Sequence, residues 1–171
     1  MLSDPYEGTA VLAPVSSLAA AAAAAAAGAA MMDAGADEVL ATAIRQAGLA
    51  VLDAGWLILD GPDPGIEAAP STVAADRILV RVSPGQVAAA VAAGWRTLVD
   101  IDISTSTSTA PGARADTRTD VVRAGAIAAV CAWQGAYLVR TRHVAEVRRC
   151  LDMAECVLGA RPPVRAVRGL G

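Results

Sequence analysis

The stretch Ile78-Leu79-Val80-Arg81-Val82-Ser83-Pro84-Gly85-Gln86, continued by Val87 to Ala93, Gly94 and Thr97-Leu98-Val99-Asp100-Ile101-Asp102, decides the fold. Ile78 to Val82 is an apolar, β-branched run of strand length. Ser83 can cap a helix over Gln86–Ala93, and Gly94 stops it. A second apolar run follows at once. Strand, short helix and strand in direct succession is the repeat of a parallel sheet, because the crossover helix returns the chain to start a parallel neighbour.

Working outward, the same alternation recurs. Toward the N-terminus, residues 1–15 are punctuated by Pro and Gly, with Ser3 to Gly8 reading as a loop. Ser16 or Ser17 caps a helix through Ala27, ended by Gly28, and Ala29 to Asp33 follows as a short strand. Ala36 to Val51 has helical spacing, with Val39, Ala43, Ala47 and Ala50 available for one face, and Trp56 to Asp60 reads as a buried strand. Toward the C-terminus, 104–120 is a Ser/Thr-rich stretch of flexible-loop composition. Val121 to Trp133 returns to helix and Ala136 to Arg140 to strand. The final helix runs from His143 to Leu158, with Val144, Val147, Leu151, Ala154 and Leu158 inward. Glu146, Arg148, Arg149, Asp152 and Glu155 mark its solvated side, and a basic tail with Arg161, Arg165 and Arg168 occupies 161–171. The expectation is one α/β domain over 1–171, with about five parallel strands alternating with helices.

Composition narrows the function. Hydrophobic residues make up 55% of the 171, yet only 3% are aromatic and none is Phe, so the core must be built from small side chains. All 14 basic residues are Arg; there is no Lys and no Asn. Schiff-base and phosphate-loop lysines are therefore excluded. A net charge of −3 makes a poor nucleic-acid binder. Leu18 to Met32 carries no charge, but no basic residue precedes it and it is short for a bilayer span, so a cytoplasmic protein with no membrane partner is expected. Cys131, Cys150 and Cys156 form no CxxC pair, and with the lone His143 they make a poor zinc set; no metal and no cofactor are expected.

Four strand ends carry charge: Asp33, Arg81, Asp100 with Asp102, and Arg140 with Arg142. In strand geometry the i,i+2 pairs project from one face. They read either as a salt-bridge cluster at the rim of the fold or as a site. In the second case Arg81, Arg140 and Arg142 would grip a small phosphate- or carboxylate-bearing ligand bidentately. Asp33, Asp100 and Asp102 would then supply acid contacts or a general base. No catalytic residue is assigned.

The segment Gly125-Ala126-Ile127-Ala128-Ala129, then Gly135-Ala136-Tyr137-Leu138-Val139-Arg140-Thr141-Arg142-His143-Val144, resembles the last third of dihydropteroate synthases, where an Ala-rich helix leads into a G-A-x-I/L-V-R-x-H-D-V strand. The tail Gly159 to Leu170 is similar to that of the second, atypical paralogue of actinobacteria. Ser3-Asp4-Pro5-Tyr6-Glu7-Gly8, Gly28 to Gly35 and Ile78 to Ser83 resemble the family's D-S-F-x-D-G, G-A-x-I-I-D-x-G and I-S-V-D-T segments. A rival register sets Gly94 to Val99 against the strand before the family's S-R-K loop.

The resemblance implies a pterin-binding-like barrel, here a truncated TIM-barrel-like fold, since an eight-stranded barrel takes about 250 residues. It also implies lost chemistry. In the first register the pterin-holding Asp is Arg81, and the Asn of an N-D pair is Val99, leaving Asp100. The R-x-H becomes Arg140-Thr141-Arg142, and His143 opens the last helix where the family has Asp, which suggests capping. The expected function is a structural or regulatory partner subunit, inactive alone as a synthase. It would sit in a homo-oligomer or in a hetero-oligomer with a longer relative. The alternatives are a binding protein or enzyme for a small anionic, pterin-like ligand, and synthase activity in folate biosynthesis retained within a complex.

Overall fold

The computed structural model describes residues 8–52, 55–61, 74–102 and 117–160. Strand β1 (Ala10–Pro14) leads through helix α1 (Leu18–Ala26) to β2 (Met31–Asp33), and α2 (Glu38–Gln46) leads on to β3 (Val51–Leu52). After β4 (Leu57–Asp60) come β5 (Ile78–Arg81), α3 (Val87–Ala92), β6 (Thr97–Asp100), α4 (Thr117–Trp133), β7 (Leu138–Arg140) and α5 (Val144–Val157). All strand pairs are parallel, and the sheet order is β3-β2-β1-β7-β6-β5-β4. Every neighbour in that order is also a neighbour in the chain, except where β7 meets β1 at Leu138 and Ala10. Among the described residues, seven strands thus curl in barrel sequence, with a seam between β3 and β4. Only residues 53–56 separate these two strands. A parallel pair needs a crossover of a dozen residues or more, so the chain cannot pair them and the barrel stays split.

Strand side chains alternate between two cores, as the period of 2 requires. Val11, Ala13, Met32, Val80, Val99 and Val139 face the helices, where Ala21, Ala41, Ala90, Ala124 and Ala128 pack against them. Leu12, Met31, Leu79, Leu98 and Leu138 fill the inside of the curl. Small alanines let the helices lie close to the sheet, and the bulkier Leu side chains fill the interior. One step further along β2, β4, β5, β6 and β7, the interior series ends in charge: Asp33, Asp60, Arg81, Asp100 and Arg140.

Capping accounts for the helix starts. Ser17 accepts from the Ala20 N–H at 3.1 Å, and Asp37 from the Leu40 N–H at 2.9 Å. Ser83 and Gln86 form a reciprocal capping box over a 3-10 turn that leads into α3. Gly28, Gly48 and Gly94 end α1, α2 and α3 with positive φ.

Several expectations need correction. Residues 10–14, to which the sequence reading assigned no element, form a buried strand paired on both sides, and Val51-Leu52 is a strand rather than the end of α2. The inward face of α2 is Leu40, Ala41 and Ile44, because Leu and Ile bury more apolar area than the alternative Ala set, and Val39 is left 83% exposed. Strand β4 lies at the seam and is half-buried, not buried. Ile101 and Asp102 leave β6 in helical conformation, so Asp102 does not share a strand face with Asp100. On α5, Glu155 is buried and Leu158 is 43% exposed, the reverse of the expected assignment. Helix α4 begins at Thr117, inside the stretch read as loop; residues 104–116, the tail 161–171 and the Ser3 to Glu7 segment lie outside the described residues.

Candidate site at the mouth of the split barrel

The charged strand ends meet at one end of the barrel. Arg140 stands between two acids: its Nε donates to Asp33 Oδ2 at 2.7 Å, and its Nη1 to Asp100 Oδ2 at 2.8 Å. The register makes this possible, since Arg140 is level with Leu12 on one side and with Asp100 on the other. The Arg140 side chain is 29% exposed, and those of Asp33 and Asp100 are 17% and 10% exposed. Burial alone would lower the Arg140 pKa. The hydrogen bonds and charges of Asp33 and Asp100 outweigh that, and the guanidinium is held more firmly protonated than usual. The other Asp33 oxygen accepts from the Gly35 N–H at 2.8 Å, a tight turn that the positive φ of Gly35 permits.

Arg81 reaches sideways instead, to Asp60 on β4 at 3.1 Å, in a pair open to water. Asp102 forms a separate latch. Its Oδ1 accepts from the buried Thr141 hydroxyl at 3.1 Å and its Oδ2 from the Arg142 N–H at 2.9 Å, while the Arg142 guanidinium forms an ion pair with Oδ2, Nε lying 3.3 Å away. Thr141 Oγ1 in turn accepts from the His143 N–H at 3.0 Å. The hydroxyl thus takes the capping task expected of His143, whose side chain makes no cap hydrogen bond.

A cavity of about 420 Å³ opens at this mouth. Asp33, Glu38, Arg81 and Arg140 give it a polar rim, and Leu12, Leu52, Ile58 and Leu98 an apolar floor. Leu52 and Ile58 belong to the two strands of the seam, so the cavity lies against the split. Arg81, Arg140 and Asp33 are brought together here, with Asp100 behind Arg140. Arg142 and Asp102 are not among the lining residues and pair with each other beside it. Asp60 and Glu38 were missed as site residues; Asp60 ends an apolar strand just as Asp33 and Asp100 do, and that signal was readable. No cluster of three metal-ligating side chains occurs among the described residues.

No protein-family model matches the chain, and no curated protein sequence matches it significantly. Solved structures do. Rv1207 of Mycobacterium tuberculosis superposes with a TM-score of 0.57 at 19% identity, covering 92% of this chain and 94% of that one. The dihydropteroate synthase of Yersinia pestis gives 0.63 at 15% identity, over 89% and 93%. That of Thermus thermophilus, in complex with 4-aminobenzoate, gives 0.53 at 15%, over 88% and 93%. The chain therefore has the fold of the dihydropteroate synthases, carried here by a curled sheet of seven parallel strands.

Proposed function

We propose that this chain is a structural or regulatory subunit that does not carry out the synthase reaction alone. The observation behind the proposal is the state of the mouth. Arg140, the most enclosed cation there, is already bonded to both Asp33 and Asp100. A substrate phosphate would have to draw it away from two carboxylates at bonding distance, and a donor-rich heterocycle would find those same carboxylates occupied. With no Lys in the chain, no other side chain supplies a mobile ammonium.

A partner is supported by the outer face of α4 and α5. Val122, Ala126, Val130 and Trp133 recur at helical spacing and are all exposed, Trp133 by 65%. Met153 and Val157 of α5 lie beside them, 70% and 68% exposed, around an apolar groove of about 370 Å³. From Ala124 to Gln134 the chain carries no charge. Taking a large side chain as about 150–250 Å², these residues expose on the order of 600 Å², against about 800 Å² per partner in a standard interface. An uncharged patch of that size suits a second copy of itself across a two-fold axis. Light scattering on the purified protein is the test. A dimer lost on Trp133→Glu supports the reading; a monomer, or a complex only with a longer relative, contradicts the second-copy assignment.

A second reading rests on the cavity itself. Arg81 and Arg140 both line it, so a small phosphate- or carboxylate-bearing ligand, pterin-like or otherwise, would displace the Arg140 bridge. Inorganic phosphate should then raise the melting temperature, and less so in Arg81→Gln. Synthase activity in folate biosynthesis, restored inside a complex, would be the third.

A further inference from the structure

The opposite end of the barrel, where strands begin, holds a second cavity of about 370 Å³. Gly8, Thr9, Trp95, Arg96, Tyr137 and Glu155 line it. Glu155 is the unusual member, a carboxylate on a residue only 8% exposed. Its Oε2 accepts from Arg148 Nη2 at 3.0 Å, and Arg148 is held in turn by Asp152 and the Thr9 carbonyl. Its Oε1 receives no hydrogen bond among the described residues. Gly8 leaves that oxygen uncovered: a Cβ built on Gly8 would stand 2.5 Å from it.

The polar neighbours are committed elsewhere. The Thr9 hydroxyl donates to the Ala136 carbonyl at 2.7 Å. Arg96 lies over the Tyr137 ring at 4.8 Å and donates to the Asp76 carbonyl. That oxygen opens onto the cavity, whose lining includes the Trp95 indole and the Tyr137 phenol ring. Carboxylate and aromatic walls together are the chemistry that captures an organic cation. One carboxylate is too few for a metal.

We propose that this cavity binds a small organic ammonium, an aryl- or alkylamine whose N–H donates to Glu155 Oε1 while its apolar body lies along Trp95 and Tyr137. The site is independent of the mouth and of the function proposed for it. Benzylamine is the probe and benzyl alcohol its neutral counterpart, titrated by calorimetry and by amide NMR shifts. Benzylamine should bind at least about tenfold more tightly than the alcohol, and Glu155→Gln should erase that difference. Shifts should gather at Gly8, Thr9, Gly135 and Ala136. Ala160→Trp, placed at an exposed rim position, should block binding without touching the core, which keeps the test valid if Glu155→Gln fails to fold. Equal binding of amine and alcohol, shifts gathered at Gly35 and Leu52, or binding unaffected by Ala160→Trp would each overturn the proposal.

Discussion

Replacing Arg140 by Met keeps much of the side-chain volume and removes the charge. Asp33 and Asp100 would then face one another, 17% and 10% exposed, with no cation between them. Two charge-assisted hydrogen bonds at about 1.5–3 kcal/mol each set a ceiling near 6 kcal/mol. Water reaches the 29% exposed guanidinium position and recovers part of this, so a loss of about 2–4 kcal/mol is expected, in line with breaking a partly buried pair. For a domain of this size that lowers Tm by roughly 5–15 °C. Urea unfolding at neutral pH measures it. The cost comes from two enclosed carboxylates losing their shared cation rather than from lost packing, so combining Arg140→Met with Asp33→Asn and Asp100→Asn should recover at least half of it. A single variant within about 0.5 kcal/mol of the parent, or a triple variant no better than the single, would refute the reasoning.

Gly125→Ala on α4 should destabilise by about 1–3 kcal/mol, because the new Cβ would stand 2.7 Å from Cys150 Sγ on α5; Cys150→Ala should restore most of the loss in a double-mutant cycle. Thr141→Val should cost about 1–3 kcal/mol, since it removes the hydroxyl that donates to Asp102 and accepts from the His143 N–H, and it should be read by the same urea titration. Burial pushes the Cys131 thiol up to about 11 from 9.0. The folded state therefore holds that proton more tightly than the unfolded one, and the stability is complete below pH 9 and lost as pH rises toward 11. Cys131→Ala should flatten that alkaline decline, and in the native protein Cys131 should alkylate after Cys150 and Cys156.

The strands that were legible in the sequence are those whose apolar runs end in charge: β2, β4, β5, β6 and β7. Strand β1 was hidden because Ala10 and Ala13 flank Val11-Leu12 with weakly apolar residues, and its burial comes from tertiary pairing on both sides. Strand β3 was hidden by length; Val51-Leu52 continues the apolar spacing of α2, and residues 47–50, with Gly48 as their one stop signal, separate them. The charged strand ends were visible, but their pairing was not. Nothing local to Arg140 says that it lies between Asp33 and Asp100, since that follows from β7 closing against both β1 and β6. The inward placement of Glu155 likewise depends on Gly8, far away in sequence, whose missing side chain makes room for the carboxylate, which a helical wheel cannot register.

The central claim is that this fold has been kept while its reaction has been lost from the single chain. A turnover assay with a pterin pyrophosphate and p-aminobenzoate, on the purified protein by itself, tests that most directly. The account predicts no product above the uncatalysed background, even with substrates at high concentration. Turnover at about 1 per second or faster, within the ordinary range for enzymes, would contradict it and would mean that the Arg140 bridge opens to substrate.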